Sequence, residues 1–261
     1  MSESVLLIEK EPPIAWLIFN RPDKHNALSG ELWQGIPAAL ADIENDPDIR
    51  VLVVRGAGDK AFSAGADIDE FKTEDATEAP PAKRRTLFEI LDDVARCSKP
   101  TLAMIHGICM GGGCAAALSV DIRLASEDAV FAITPARLGL GYAFAGIERA
   151  VQELGPANAR YLFLTAGRVK AEQALHMGIV QEVHPAVELE AATRDLALRI
   201  AGNAPKTLRA LKESIHQSIL PPADRRLDVV EALIQACFDS EDYQEGVRAF
   251  REKRTPEFRD R

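Results

Sequence analysis

Short apolar runs rich in Val, Ile, Leu and aromatic residues recur through the first part of the chain, at Val5 to Ile8, Ile14 to Phe19, Val51 to Val54 and Thr101 to Ile105. Runs of this length and composition predict β-strands. Between the second and third, Leu32, Ile36, Leu40 and Ile43 keep helical spacing, with Ser29 placed as an N-cap and Asp46-Pro47 as a stop. Alternation of strands with helical stretches predicts an α/β core. The acidic, small-residue stretch from Thr73 to Ala82, with Ala79-Pro80-Pro81 near its end, predicts a surface loop or lid ahead of a helix from Arg84 to Cys97. After about Ala186 the strand signals vanish, and helices follow that break at Gly202 to Pro205, Pro221-Pro222 and Asp239-Ser240. The pattern divides the chain into a core over 1–199 and a helical C-terminal region over 200–261.

Composition narrows the class. With 47% hydrophobic and 27% charged residues over 261 positions, the chain can build a sizeable core. Its net charge of −9 disfavours nucleic acid and anionic membranes as partners, so any anionic ligand needs a local cluster of cations. The segment Met1 to Glu11 has no basic leader character, and no apolar run approaches the roughly 18 residues of a membrane span, which points to the cytoplasm. Cys97, Cys109, Cys114 and Cys237 form no CxxC pair and have no zinc-like His spacing. They read as buried thiols, and no metal is expected.

Two glycine-bearing segments carry the candidate chemistry. Phe62 to Ile68 follows the strand ending at Val54 through a loop containing Gly56 and Gly58, and Gly107 to Leu118, with Gly111-Gly112-Gly113 inside it, follows the strand ending at Ile105. Glycines between a strand and a small-residue helix let a ligand approach the backbone, whose free N–H groups favour negative charge. A tight turn or close helix packing uses the same residues. The spacing fits neither a GxGxxG dinucleotide fingerprint nor a Walker loop.

Taken with Asn20-Arg21-Pro22, Asn26-Ala27-Leu28, Lys99-Pro100, His106-Gly107, Asp121, Leu138-Gly139, Leu164 to Gly167, Ala171 to Ala174, Gly178-Ile179-Val180 and Ala249 to Arg254, these segments resemble the crotonase (enoyl-CoA hydratase/isomerase) superfamily in order and spacing, over essentially the whole chain. The resemblance implies a spiral of ββα units followed by C-terminal helices that build a homotrimer, often paired into a hexamer. It also implies an acyl-CoA thioester whose carbonyl oxygen lies between the amides of Ala66 and Gly112, so that an enolate can form. By position, the CoA contacts fall on Lys24, Ala27, Leu28, Ala64, Asp67, Ile68, Phe250 and Lys253. No cofactor is implied beyond the CoA of the substrate. Asp67 and Asp121 also suit loop and turn anchors, because Asx side chains commonly hold local backbone.

The chain departs from the family where hydratases carry two glutamates. Ala115 and Pro135 stand at those positions, and neither can move a proton. Losing acid–base groups typically costs about 10²–10⁴-fold. The Thr134-Pro135 step and Tyr142 resemble the methylmalonyl-CoA decarboxylase branch, although Ala66 stands where that branch has histidine and Ala115 where it has glutamate. The expectation is therefore decarboxylation of a 2-carboxyacyl-CoA, with Tyr142 orienting the departing carboxylate. One alternative is a hydratase or isomerase with an unorthodox acid or base, for which Glu148 is the nearest carboxylate in sequence. The other is a non-catalytic CoA-binding protein.

Overall fold

A computed structural model describes residues 4–67 and 85–260, so the stretch Thr73 to Ala82, the start of the helix expected from Arg84, and Ile68 lie outside the described residues. The chain begins with an antiparallel pair, β1 (Leu6–Glu11) and β2 (Ile14–Phe19), followed by α1 (Gly30–Glu44). Three ββα units come next. They are β3 (Val51–Gly56), β4 (Ala61–Ser63) and α2 (Leu87–Ala95); β5 (Thr101–Ile105), β6 (Ile108–Met110) and α3 (Gly112–Ala117); and β7 (Ile122–Ser126), β8 (Val130–Ala132) and α4 (Pro135–Leu138). The remainder is α5 (Phe144–Thr165), β9 (Val169–Lys170), α6 (Ala171–Met177), β10 (Glu182–His184), α7 (Leu189–Ala201), α8 (Pro205–Ile219), α9 (Leu227–Phe238) and α10 (Glu241–Glu252).

Each unit lays one strand on each of two sheets. The first sheet runs β1-β2-β3-β5-β7-β10, parallel except for the opening pair, and the second runs β4-β6-β8-β9, with β9 antiparallel. The first sheet is buried on both faces, which is why β2 reads as an unbroken apolar run. Ala15, Leu17 and Phe19 face the core shared with α1 and α3, while Ile14, Trp16 and Ile18 face a second core closed by Leu189, Ala197 and Ala201 of α7. α1 starts at Ser29, whose side chain accepts the Leu32 amide, and it buries Leu32, Ile36, Leu40 and Ile43. The expected α/β architecture of ββα repeats is present.

The short second-sheet strands β4, β6 and β8 are not visible in the hydropathy pattern, because three residues are too few to show a period. α2 starts at Leu87, where Thr86 and Glu89 form a reciprocal capping box. One charged side chain ties the layers together. Arg123 of β7, 1% exposed, donates to the carbonyls of Val120 and Ile179 and to the Glu153 carboxylate on α5. The C-terminal helices break at the residues expected from sequence, and α8, α9 and α10 leave Leu211, Ile215, Phe238, Tyr243 and Phe250 exposed.

Candidate active site

The site is built where the segment 25–28 meets the loop after β4. His25 and Asn26 take left-handed backbone after a 3₁₀ turn at Pro22–Lys24. Asn26 holds that bend through its side-chain amide: Oδ1 accepts from the Arg21 amide at 3.0 Å, and Nδ2 donates to the carbonyls of Ala57 and Ala61 at 3.0 and 2.7 Å. The loop is then latched to the segment. The Ala64 amide donates to His25 O, the Ser63 hydroxyl to Asn26 O, the Leu28 amide to Gly65 O and the Asp67 amide to Leu28 O. Leu28 and Ala66 thus form a parallel bridge whose hydrogen bonds use the groups on either side of Ala66. In such a bridge the N–H of Ala66 itself points the other way.

Gly112 lies close to that nitrogen. A Cβ built on Gly112 would stand 3.4 Å from the Ala66 nitrogen, so the two amides are close neighbours. Gly112 opens α3, and a first-turn amide has no partner within its own helix. The glycines around this point are required by crowding. A Cβ on Gly65, where φ is +97°, would meet Met110 O at 2.7 Å, and one on Gly113 would meet Ser63 O at 2.5 Å. Leu87 of α2 and Leu28 flank Gly112, at 3.2 and 3.4 Å from that notional Cβ, and supply apolar walls. Two backbone donors side by side between apolar walls can hold an oxygen on which negative charge develops.

The expected site residues occupy two parts of the chain. Lys24, Ala27, Leu28, Ala64, Ala66 and Asp67 lie together on the latched loops, beside Gly112. The Asp67 carboxylate receives the Arg21 guanidinium at 2.7 Å, and Arg21 also donates to Ala27 O, so its side chain acts as a loop anchor. Phe250 and Lys253 belong to the C-terminal helices. Phe250 is exposed at one wall of a groove of about 590 Å³ that it shares with Leu211, Phe238 and Phe258, and Lys253 is the left-handed cap of α10.

Residues of α3 and α4 stand in place of the carboxylates. Ala115 is buried in α3, and Pro135 opens α4. Tyr142 precedes α5, with its ring edge-on to Phe88 of α2 at 5.4 Å and to Phe163 of α5 at 5.1 Å. Its hydroxyl is buried and has no hydrogen-bond partner among the described residues. Burial, with a lesser effect of the Cys114 thiol, pushes the phenol above its ordinary range and keeps it protonated. Glu148 is on the exposed side of α5. Phe88 and Phe163 carry no signal in the sequence, because a single aromatic at a helical apolar position looks like any core residue.

The thiols are placed as expected for Cys97, Cys109 and Cys114, which are buried, while Cys237 is half-buried. Burial pushes Cys97 up to about 12, and burial beside Cys114 raises Cys109. Among the described residues, no helix is long and apolar enough to cross a membrane, and no three His, Cys, Asp or Glu side chains gather as a metal site.

Comparison with known proteins gives the family. Residues 9–261 match the family model described as enoyl-CoA hydratase/isomerase. The chain is 33% identical over 254 residues to the short-chain-enoyl-CoA hydratase of Clostridium acetobutylicum, covering 95% of each chain. It is also 33% identical over 250 residues to the methylmalonyl-CoA decarboxylase of Escherichia coli, covering 94% of each. Among solved structures it is similar to an enoyl-CoA hydratase/carnithine racemase from Magnetospirillum magneticum, with TM-score 0.90 and 35% identity over 100% of this chain and 97% of that one.

Proposed function

The chain belongs to the enoyl-CoA hydratase/isomerase family and acts on acyl-CoA, and from that premise we propose that it decarboxylates a 2-carboxyacyl-CoA. The observation that carries this reading is the Tyr142 hydroxyl, buried without a partner among the described residues, in a site that keeps both backbone donors but has Ala115 and Pro135 in place of carboxylates. A buried orphan hydroxyl is costly unless an acceptor arrives with a ligand.

In this mechanism the thioester oxygen lies between the N–H groups of Ala66 and Gly112. Tyr142 donates to the carboxylate and holds its C–C bond perpendicular to the thioester plane. That bond breaks, its electron pair passes into the enolate, and carbon dioxide leaves. The two amides stabilise the enolate oxygen as charge builds there, and a pair of this kind supplies a large part of the rate. The α-carbon then takes a proton from water. No side-chain base is needed, which is consistent with the missing glutamates. A phenol kept protonated by burial suits a donor rather than a base.

On this reading Lys24, Ala27, Leu28, Ala64 and Asp67 line the CoA path, and Phe250 and Lys253 meet its far end. No cofactor is needed beyond the CoA of the substrate. The core over 1–199 binds the thioester, and the region over 200–261 joins copies into a trimer or hexamer, a role that the exposed apolar side chains of α8 to α10 favour.

The test is carbon dioxide release from methylmalonyl-CoA and longer 2-carboxyacyl-CoAs, compared between wild type and Tyr142→Phe. The variant should lose about 10- to 100-fold in rate, the worth of one charge-assisted hydrogen bond, with CoA affinity nearly unchanged. No release from the panel, or an unchanged rate in the variant, would favour hydration or isomerisation with an unorthodox acid or base. The similarity to the Clostridium acetobutylicum hydratase supports that second reading.

A further inference from the structure

We propose that residues 254–260 form a strap that holds α10 in place, with the buried carboxylates of Asp242 and Glu245 as its two clasps, and that this strap positions Phe250 and Lys253 for CoA. The inference rests on the reading that Phe250 and Lys253 meet the far end of CoA, and not on which reaction follows.

Both clasps lie on α10 itself. Asp242 is 3% exposed and Glu245 8%, and acids are rarely buried this far unless they are paired. The stretch that follows the helix supplies most of the partners. Beyond the left-handed cap at Lys253 the Arg254 guanidinium takes both oxygens of Glu245, Nη1 to Oε1 at 2.5 Å and Nη2 to Oε2 at 3.0 Å. Oε1 also accepts the Glu257 amide at 3.2 Å, and Oε2 accepts Arg248 Nε at 3.0 Å. Nearer the helix start, the two oxygens of Asp242 accept the amides of Arg259 and Asp260, at 2.7 and 2.9 Å. The Phe258 ring lies across Gly246, 3.6 Å from where a Cβ would stand.

The strap is also anchored outside α10. Arg50, just ahead of β3, donates to Phe258 O at 2.7 Å and to Ala201 O at the end of α7 at 3.0 Å. Arg209 of α8 donates to both oxygens of Asp260, at 2.6 and 3.0 Å. Through these contacts α10 is tied to the core and to α8. Phe250 is exposed on α10, and Lys253 stands between the helix and the Arg254 clamp, so both move with the helix. A ligand that needs them in place binds in proportion to the fraction of molecules in which α10 is docked. Asp242 and Glu245 are thus positioning residues, which act on the ligand through others.

Hydrogen exchange on the ligand-free protein and calorimetric binding of CoA itself test the strap and its consequence separately. An amide isostere offers one acceptor oxygen in place of two, so Asp242→Asn and Glu245→Gln each break a clasp with little change of shape. Exchange of the 246–252 amides should rise by about tenfold or more, and CoA should weaken by a similar factor. Turnover at saturating substrate should stay within about twofold, because only binding depends on the strap. Arg209→Ala, at the partly exposed end of the strap, should act in the same direction to a smaller degree, and it serves as the test should a buried substitution prevent folding. Exchange unmoved in all three variants would overturn the strap. So would faster exchange with unchanged CoA affinity, if Lys253→Ala weakens CoA. Affinity unmoved by both Phe250→Ala and Lys253→Ala would overturn the placement of CoA at those residues, and the positioning role with it, whatever the exchange shows.

Discussion

The two halves of the site are built from different materials. On one side, the proposed oxygen-binding donors are main-chain N–H groups, positioned by Asn26, Ser63 and the latch between Leu28 and Ala66. On the other, the reacting carbon would face side chains, and these are Ala115, Pro135 and Tyr142. A donor made of backbone disappears only if the loops move, and the loops are held by contacts that exclude any Cβ at Gly65 or Gly113. A donor or base made of side chain disappears with one substitution. On the proposed mechanism the shared step would rest on the half that resists change, and the choice of reaction on the half that does not.

The contrast can be broken most severely from the backbone side. Gly65→Ala places a methyl 2.7 Å from Met110 O and 3.1 Å from the Gly112 nitrogen, in left-handed backbone, so both donors must shift. Turnover of the preferred acyl-CoA should fall by roughly 10²–10³-fold, the usual worth of an oxyanion donor. Gly58→Ala is the control. It carries similar backbone strain, but its methyl would meet only the Pro22 Cβ at 3.6 Å, and its rate should stay near wild type. Wild-type turnover by Gly65→Ala would remove the hole from this position.

The side-chain half is sharpened by substrate rather than by mutation. Crotonyl-CoA should be hydrated at least ~10²-fold more slowly than by a hydratase that has both carboxylates, as followed by the loss of conjugated-thioester absorbance. Rapid hydration at nanomolar enzyme would restore acid–base chemistry to this half and direct attention to Glu148.

The smallest effect is on stability. Tyr142→Phe removes a buried hydroxyl without a partner among the described residues, so it should leave the fold unchanged or stabilise it by about 1 kcal/mol while slowing the chemistry. It should also alter the alkaline limb. Because burial raises this phenol above its ordinary value of 10.0, the folded state holds its proton longer than the unfolded chain. The stabilisation is complete below about pH 10 and is lost as pH rises from there toward the folded pKa. Cys97, pushed up to about 12, behaves alike from its own lower starting point. Urea midpoints for wild type and Tyr142→Phe at about pH 8 and about pH 11 isolate the phenol, since only wild type should lose its share. A parallel loss in both proteins would assign it to the thiol.

Much of the oxygen-binding half is legible in the amino-acid sequence. Gly65 and the triple glycine stand between recognisable strands and helices, and Ser29, Asp46-Pro47 and Pro221-Pro222 punctuate the chain as local chemistry requires. Ala115 and Pro135 can be picked out because two of the family's motifs bracket them. What the sequence hides is anything that depends on several elements meeting. The strand Ala61–Ser63 pairs only with distant residues, and the Phe88-Tyr142-Phe163 stack joins three separate stretches of chain. The role of Asp67 is open in the sequence for the same reason, since its partner Arg21 precedes it by 46 positions.

Arg123 gives the molecule a mechanical property. Its guanidinium ties β7 to the Ile179 carbonyl beyond α6 and to Glu153 on α5, within an otherwise apolar layer. Apolar contacts tolerate sliding, whereas several hydrogen bonds from one planar group fix both distance and angle. The part of α5 before its break at Gly155 is thereby braced against the sheet. The rings of Phe88 and Tyr142 lean on that segment at Gly146, so where they stand depends in part on a hydrogen-bonded strut carried by another strand.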